Sequence, residues 1–167
     1  LPRAWHQGYF NYSIATGGFA DYRADLVWQS GEFTKENRLP ADFRNLIGSR
    51  TVDTYPWETS YIYANGLRWL PRPVFQSYLA YTPWLDRQNA AHFASDRGPD
   101  FVLRERELWG VVLGSSDDRY LLNDEPMTIL TLMRHYRIVA LHPRVAVLRR
   151  ADRPLIAGPR QPEIDDH

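Results

Sequence analysis

The 167-residue chain predicts an α/β domain: a two-layer or three-layer-like sandwich with a mixed, partly parallel sheet, a C-terminal β-hairpin and an irregular N-terminal segment. Three observations carry that prediction. From residue 51 onward, short β-branched and aromatic runs alternate with helical patterns at the spacing of βαβ units. Proline and glycine punctuate those runs where elements should start and stop. A hydrophobic fraction of 44%, of which aromatics make 14% of the chain, supplies enough apolar surface for one core without disulfides or a structural metal.

Residues 1–50 read as an irregular and helical segment anchored by aromatic side chains and packed on the later core. Helices are expected over Asp21 to Gln29 and over Leu39 to Gly48, the second closed by its glycine. The core follows over 51–150. Thr51 to Tyr55 is its first strand, Pro56 to Gly66 a helix with proline at its start and an Asn-Gly stop, and Pro73 to Tyr81 a second strand. Thr82 caps a helix with Pro83 in its first turn and Trp84, Leu85, Asn89 and His92 at helical spacing, ended by Gly98-Pro99. Phe101 to Leu103 is a third strand. After a polar loop through Gly114 to Asp118, Asp124 caps a helix whose inner face is Ile129, Leu130, Met133 and Tyr136. Ile138 to Leu141 and Val145 to Leu148 form the hairpin around His142-Pro143-Arg144, and 151–167 is a flexible tail.

Composition excludes several function classes. There is no cysteine, which removes thiol nucleophiles, Fe–S clusters and thiolate zinc sites. Twenty basic residues balance twenty acidic ones, so the basic excess of a nucleic-acid binder is missing. Phosphate-binding loops, dinucleotide fingerprints, His-Glu-x-x-His and nucleophile-elbow motifs do not occur, and the five histidines have no metal-ligand spacing. No metal or cofactor is therefore expected. No run reaches the roughly 18–20 apolar residues of a membrane span. The chain does not begin with Met, which suggests a piece of a longer or processed protein with membrane segments upstream. Nineteen of the twenty basic residues are arginine, and those beside aromatics are expected to lay their stems on rings and send their guanidiniums to water.

The acidic candidates are Asp53, Glu58, Asp86 and the Asp117-Asp118 pair. Asp53 ends the first strand of an α/β unit, where open sheets build ligand sites. Glu58 falls in the first turn of the next helix, a position that also suits a residue stabilising the helix dipole. Asp53 and Glu58 together would supply a carboxylate pair for glycoside hydrolysis. Asp117-Asp118 reads as a solvated turn.

The most distinctive stretch runs from Ala64 to Pro83. Gln76, Ser77 and Tyr78 offer hydrogen-bonding groups near the end of its expected strand, and Trp69, Tyr81 and Trp84 offer faces on which sugar rings stack. With Val52-Asp53-Thr54-Tyr55-Pro56 before it, the run Asn65-Gly66-Leu67-Arg68-Trp69-Leu70-Pro71-Arg72-Pro73-Val74-Phe75-Gln76-Ser77-Tyr78-Leu79-Ala80-Tyr81-Thr82 resembles the C-terminal extracytoplasmic region of bacterial multi-pass inner-membrane proteins similar to lipid-linked-sugar glycosyltransferases. The resemblance spans roughly residues 39–150. It implies a periplasmic setting and attachment to the membrane through segments outside this chain. The catalytic carboxylate of such transferases is expected near their N-terminal membrane helices, so the resemblance assigns no catalytic residue here.

The expectation is thus a non-catalytic extracytoplasmic domain that binds glycan or a lipid-linked sugar through Asp53, Glu58, Trp69, Gln76, Ser77, Tyr78, Tyr81 and Trp84. A carboxylate-dependent glycosidase and a protein-interaction module are the alternatives.

Overall fold

A computed structural model describes residues 12, 14–108, 111–112 and 123–156. The chain forms two compact units, Leu1–Arg38 and Leu39–His167. The first holds a π-helical turn, Ile14–Gly18, leading into helix α1, Phe19–Glu36, which runs further in both directions than the expected Asp21 to Gln29. Side-chain pairs one turn apart, Gln29 with Asp25 and Lys35 with Glu32, support it along its solvated surface. The Asn37 side chain donates to the Phe33 carbonyl and closes the helix end.

The second unit is built on a five-stranded mixed sheet. In chain order its elements are α2 (Ala41–Ile47), β1 (Thr51–Tyr55), α3 (Ser60–Asn65), β2 (Arg68–Trp69), α4 (Pro83–Ala94), β3 (Phe101–Glu105), a small pair β4 (Glu107–Leu108) and β5 (Val111–Val112), α5 (Pro126–His135), β6 (Tyr136–Leu141) and β7 (Val145–Arg150). Strand order is β2-β1-β3-β7-β6. β1 lies parallel to both β2 and β3, and β7 runs antiparallel to β3 and β6. β4 and β5 make a separate two-stranded antiparallel sheet.

Period-two alternation splits the sheet into two buried faces. Val52, Phe101, Leu103, Val145 and Val147 point to one, where α2 supplies Phe43 and Ile47 and α3 supplies Tyr61 and Ile62. Tyr55, Val102, Ala146 and Leu148 point to the other, covered by Phe93 of α4 and by Ile129 and Leu132 of α5. The sandwich therefore has three layers. Strand order reverses around β1, so the crevice where open α/β sheets hold ligands lies at the carboxyl ends of β1 and β3.

Local chemistry explains where elements begin and end. Gly48 and Gly66, at φ 58° and 59°, end α2 and α3 in a conformation that glycine adopts without strain. The helix expected from Pro56 begins only at Ser60. The Pro56 carbonyl is claimed by Arg72 and Ser77, so it cannot open a helical ladder, and the Glu58 carboxylate accepts from the Ser60 N–H instead. Tyr55-Pro56 is a cis peptide.

The strand expected over Pro73 to Tyr81 is absent. That run is a loop with one 3₁₀ turn, Ser77–Leu79. Pro71 and Pro73 have no N–H for a ladder, Asn89 takes both backbone groups of Val74, and Arg72 takes the Phe75 carbonyl.

α5 also differs from expectation. Its N-cap is Glu125 rather than Asp124, and it buries Thr128, Ile129 and Leu132 while Leu130 and Met133 face outward. The cause is Asp86 of α4, whose carboxylate accepts from the Met127 N–H, the Thr128 N–H and the Thr128 hydroxyl and so turns Thr128 inward. Tyr136 is buried as expected, but as the first residue of β6. After β7, the Ala151 and Leu155 N–H groups donate to the His135 and Arg134 carbonyls at the end of α5. The loop Gly114 to Asp118, His6, His167 and the tail beyond residue 156 lie outside the described residues.

Candidate functional site

β1 places Val52 and Thr54 on one face of the sheet and Asp53 and Tyr55 on the other. Asp53 is fully buried, and all of its capacity is taken. One carboxylate oxygen accepts from Trp69 Nε1 at 3.0 Å and from the Thr54 N–H at 2.8 Å. The other accepts from the Arg72 N–H at 3.1 Å and from the Arg72 guanidinium at 3.3 Å.

Arg72 is the centre of this arrangement. Only 2% exposed, it also donates to the Thr54, Pro56 and Phe75 carbonyls and to Ser77 Oγ, and its guanidinium lies over the Tyr55 ring, 5.2 Å from the centroid. The expectation that such arginines send their heads to water fails here. A single planar fork ties the end of β1 to a loop twenty residues later, a task that a lysine point charge would not perform.

A second fastener lies beside the first. Asn89 of α4 bonds both backbone groups of Val74 at 2.9 Å and donates to Glu125 at 2.6 Å. Burial pushes the Glu125 carboxyl up from its ordinary value, with the Arg72 charge opposing. The Tyr55 hydroxyl is likewise pushed up by burial and then by Glu125. The network is buried and mostly satisfied, as buried polar groups require.

Most other side chains of the fastened loop turn outward, Ala80 being buried. Phe75, Tyr78 and Leu79 are exposed, Tyr81 is 79% exposed, and Trp84, in the first turn of α4, is 59% exposed. Edge-to-face contacts brace two of these rings, Trp69 with Phe75 at 5.6 Å and Trp57 with Tyr78 at 5.8 Å. Gln76 is half-buried at the head of the 3₁₀ turn, and Ser77 is buried with its hydroxyl donated to the Pro56 carbonyl.

The expected site residues therefore separate into two groups. Asp53, Ser77 and the Trp69 indole N–H hold the loop, whereas Tyr78, Tyr81 and Trp84 are presented to solvent. Glu58 does not join Asp53. It neighbours Glu105, at the end of β3 on the other face, and burial followed by repulsion from Glu58 pushes the Glu105 carboxyl up to about 7. Sequence reasoning missed Arg72, Asn89 and Glu125, whose importance comes from contacts 15 to 36 residues away in the chain. The one available signal is Arg72 between two prolines, where an extended backbone commits the side chain to one direction. Asp86, an acidic candidate from sequence, caps α5.

No group of acidic or histidine side chains among the described residues is arranged to hold a metal. No helix among them is long and apolar enough to cross a membrane. Comparison with protein-family models, with curated proteins and with solved structures yields no match for this chain. What fold and site define is an α/β sandwich that presents a clamped aromatic loop.

Proposed function

We propose that this chain is a non-catalytic binding domain that engages glycan, free or lipid-linked, through Tyr78, Tyr81 and Trp84, as the extracytoplasmic part of a bacterial membrane protein. The observation that carries the reading is the double clamp of Arg72 and Asn89. It fixes the backbone behind the exposed rings, so a sugar meets surfaces that need no ordering on binding. The membrane setting rests on the sequence resemblance alone.

A glycosidase reading loses its leading residue, because Asp53 has no lone pair free and no exposure through which to meet a substrate. The protein-interaction reading keeps one supporting observation: the rings are exposed and line neither the cavity of about 460 Å³ nor that of about 540 Å³ among the described residues.

The test is a glycan array followed by titration calorimetry with the best-bound oligosaccharide. Trp84→Ala should weaken binding at least about tenfold, the order expected from losing one large aromatic contact, and leave the unfolding midpoint unchanged because the ring is exposed. Array silence from wild type and variant alike would overturn the glycan reading.

A further inference from the structure

A second surface has different chemistry. Among the described residues, α4 and α5 cover the sheet face that carries Tyr55, and Ile138 and Leu141 of the outer strand β6 stay exposed. Between α5 and strands β3, β7 and β6 lies a groove of about 540 Å³, within the size range of small-molecule sites. Its floor follows from strand register. One row across the sheet is Tyr55, Arg104, Ala146 and Leu141, and the next is Val102, Leu148 and Ile138. Ala146 leaves the floor low, and Met133 of α5 forms a wall.

A β-bulge aims the outer strand. Pairing shifts by one residue between Ile138 and Ala140, so Ile138 and Leu141, three apart, both oppose residues of the groove face. Without the bulge they would point to opposite faces. Both are left in the open, at 61% and 60% exposed.

The groove is charged at one end only. Arg104 stands in the row between Tyr55 and Ala146, half-buried, and no acceptor or ion-pair partner for its guanidinium exists among the described residues. Burial lowers its pKa from the ordinary arginine value, the mark of a desolvated cation. Arg106 lies at the same end and donates to the His142 carbonyl, and no carboxylate lines the groove among the described residues. A partly desolvated, unpaired cation at the head of an apolar trough calls for an anion with a hydrocarbon tail.

We propose that this groove binds a single-chain anionic amphiphile, with its head against Arg104 and Arg106 and its chain running over Leu148, Ile138 and Leu141. This site is separate from the aromatic loop and goes beyond the function proposed for it.

The experiment titrates the 167-residue chain calorimetrically, below micelle-forming concentrations, with dodecyl phosphate, the sugar-free neutral amphiphile octaethylene glycol monododecyl ether and inorganic phosphate, alongside Arg104→Gln, Met133→Glu and Trp84→Ala. Met133 is exposed, so its variant should fold. Saturable binding of dodecyl phosphate, at least about tenfold tighter than the neutral ether, is expected. Arg104→Gln should erase that preference, Met133→Glu should weaken both amphiphiles, and Trp84→Ala should change neither. Each added pair of methylenes should tighten binding roughly tenfold until the groove is full. Equal affinity for the two amphiphiles, no saturable binding, or a dimer that Met133→Glu dissociates in a chain that ignores dodecyl phosphate would each overturn the proposal. Because the glycan titration depends on Trp84 and this one on Arg104, either can fail alone.

Discussion

Asp53 and Arg72 show how much one buried pair can organise. Taking both charges out of water is unfavourable by several kcal/mol per ion, offset here only because eight hydrogen bonds engage the pair. Removing one partner strands the other. Asp53→Ala should therefore lose about 3–5 kcal/mol of stability, read by urea unfolding; a loss under 1 kcal/mol would mean that Arg72 is held by its carbonyls alone. Glu105 offers a different residue-scale test. Its carboxyl is pushed up to about 7, so between pH 4.5 and 7 the folded chain keeps a proton that the unfolded chain has released. Its contribution is complete below pH 4.5 and disappears as pH rises through 7. Glu105→Gln should flatten that decline and be the more stable protein at pH 8, whereas parallel stability curves for the two proteins would exclude the shift. His92, whose pKa burial lowers, acts in the opposite sense but is common to both proteins.

At the scale of elements, α5 depends on a side chain from α4. Three of its first-turn donors, two backbone and one hydroxyl, end on Asp86, which sits where a helix N-terminus favours negative charge. Asp86→Ala should cost about 1–2 kcal/mol and accelerate amide hydrogen exchange in the first turn of α5 before that of α4; uniform exchange changes would argue against a local cap. This dependence also explains what the sequence disclosed. Strands β1, β3, β6 and β7 and helix α4 were legible because each carries its own signal: apolar runs for the strands, Thr82-Pro83 for the helix. The false strand at Pro73 to Tyr81 and the wrong inner face of α5 were not, because distant side chains decide both. Arg72 and Asn89 take the loop's backbone groups, and Asp86 sets the rotation of α5. In the site, the exposed rings were readable as aromatic surface, but the fastener behind them was not, since it exists only once β1, the loop and α4 meet.

Across the whole second unit, the sheet separates two kinds of surface. The clamped loop emerges beside β1 and β2, near one edge, while the amphiphile groove opens at the other edge, over β7 and β6. Tyr55 reaches both, lying under the Arg72 guanidinium and lining the groove, but Trp84 belongs only to the loop and Arg104 only to the groove, so the effects of Trp84→Ala and Arg104→Gln should add in a double variant. Order along the chain and order across the sheet, however, disagree. β7, the last of the strands in sequence, lies between β3 and β6. During synthesis β1, β2 and β3 can pair among themselves, but β6 waits without a partner, β3 has no antiparallel neighbour, and the row that becomes the groove floor is missing Ala146 and Leu148, until Val145–Arg150 leaves the ribosome. Closure then has to happen in one late step, with a half-formed sheet edge uncovered until it does.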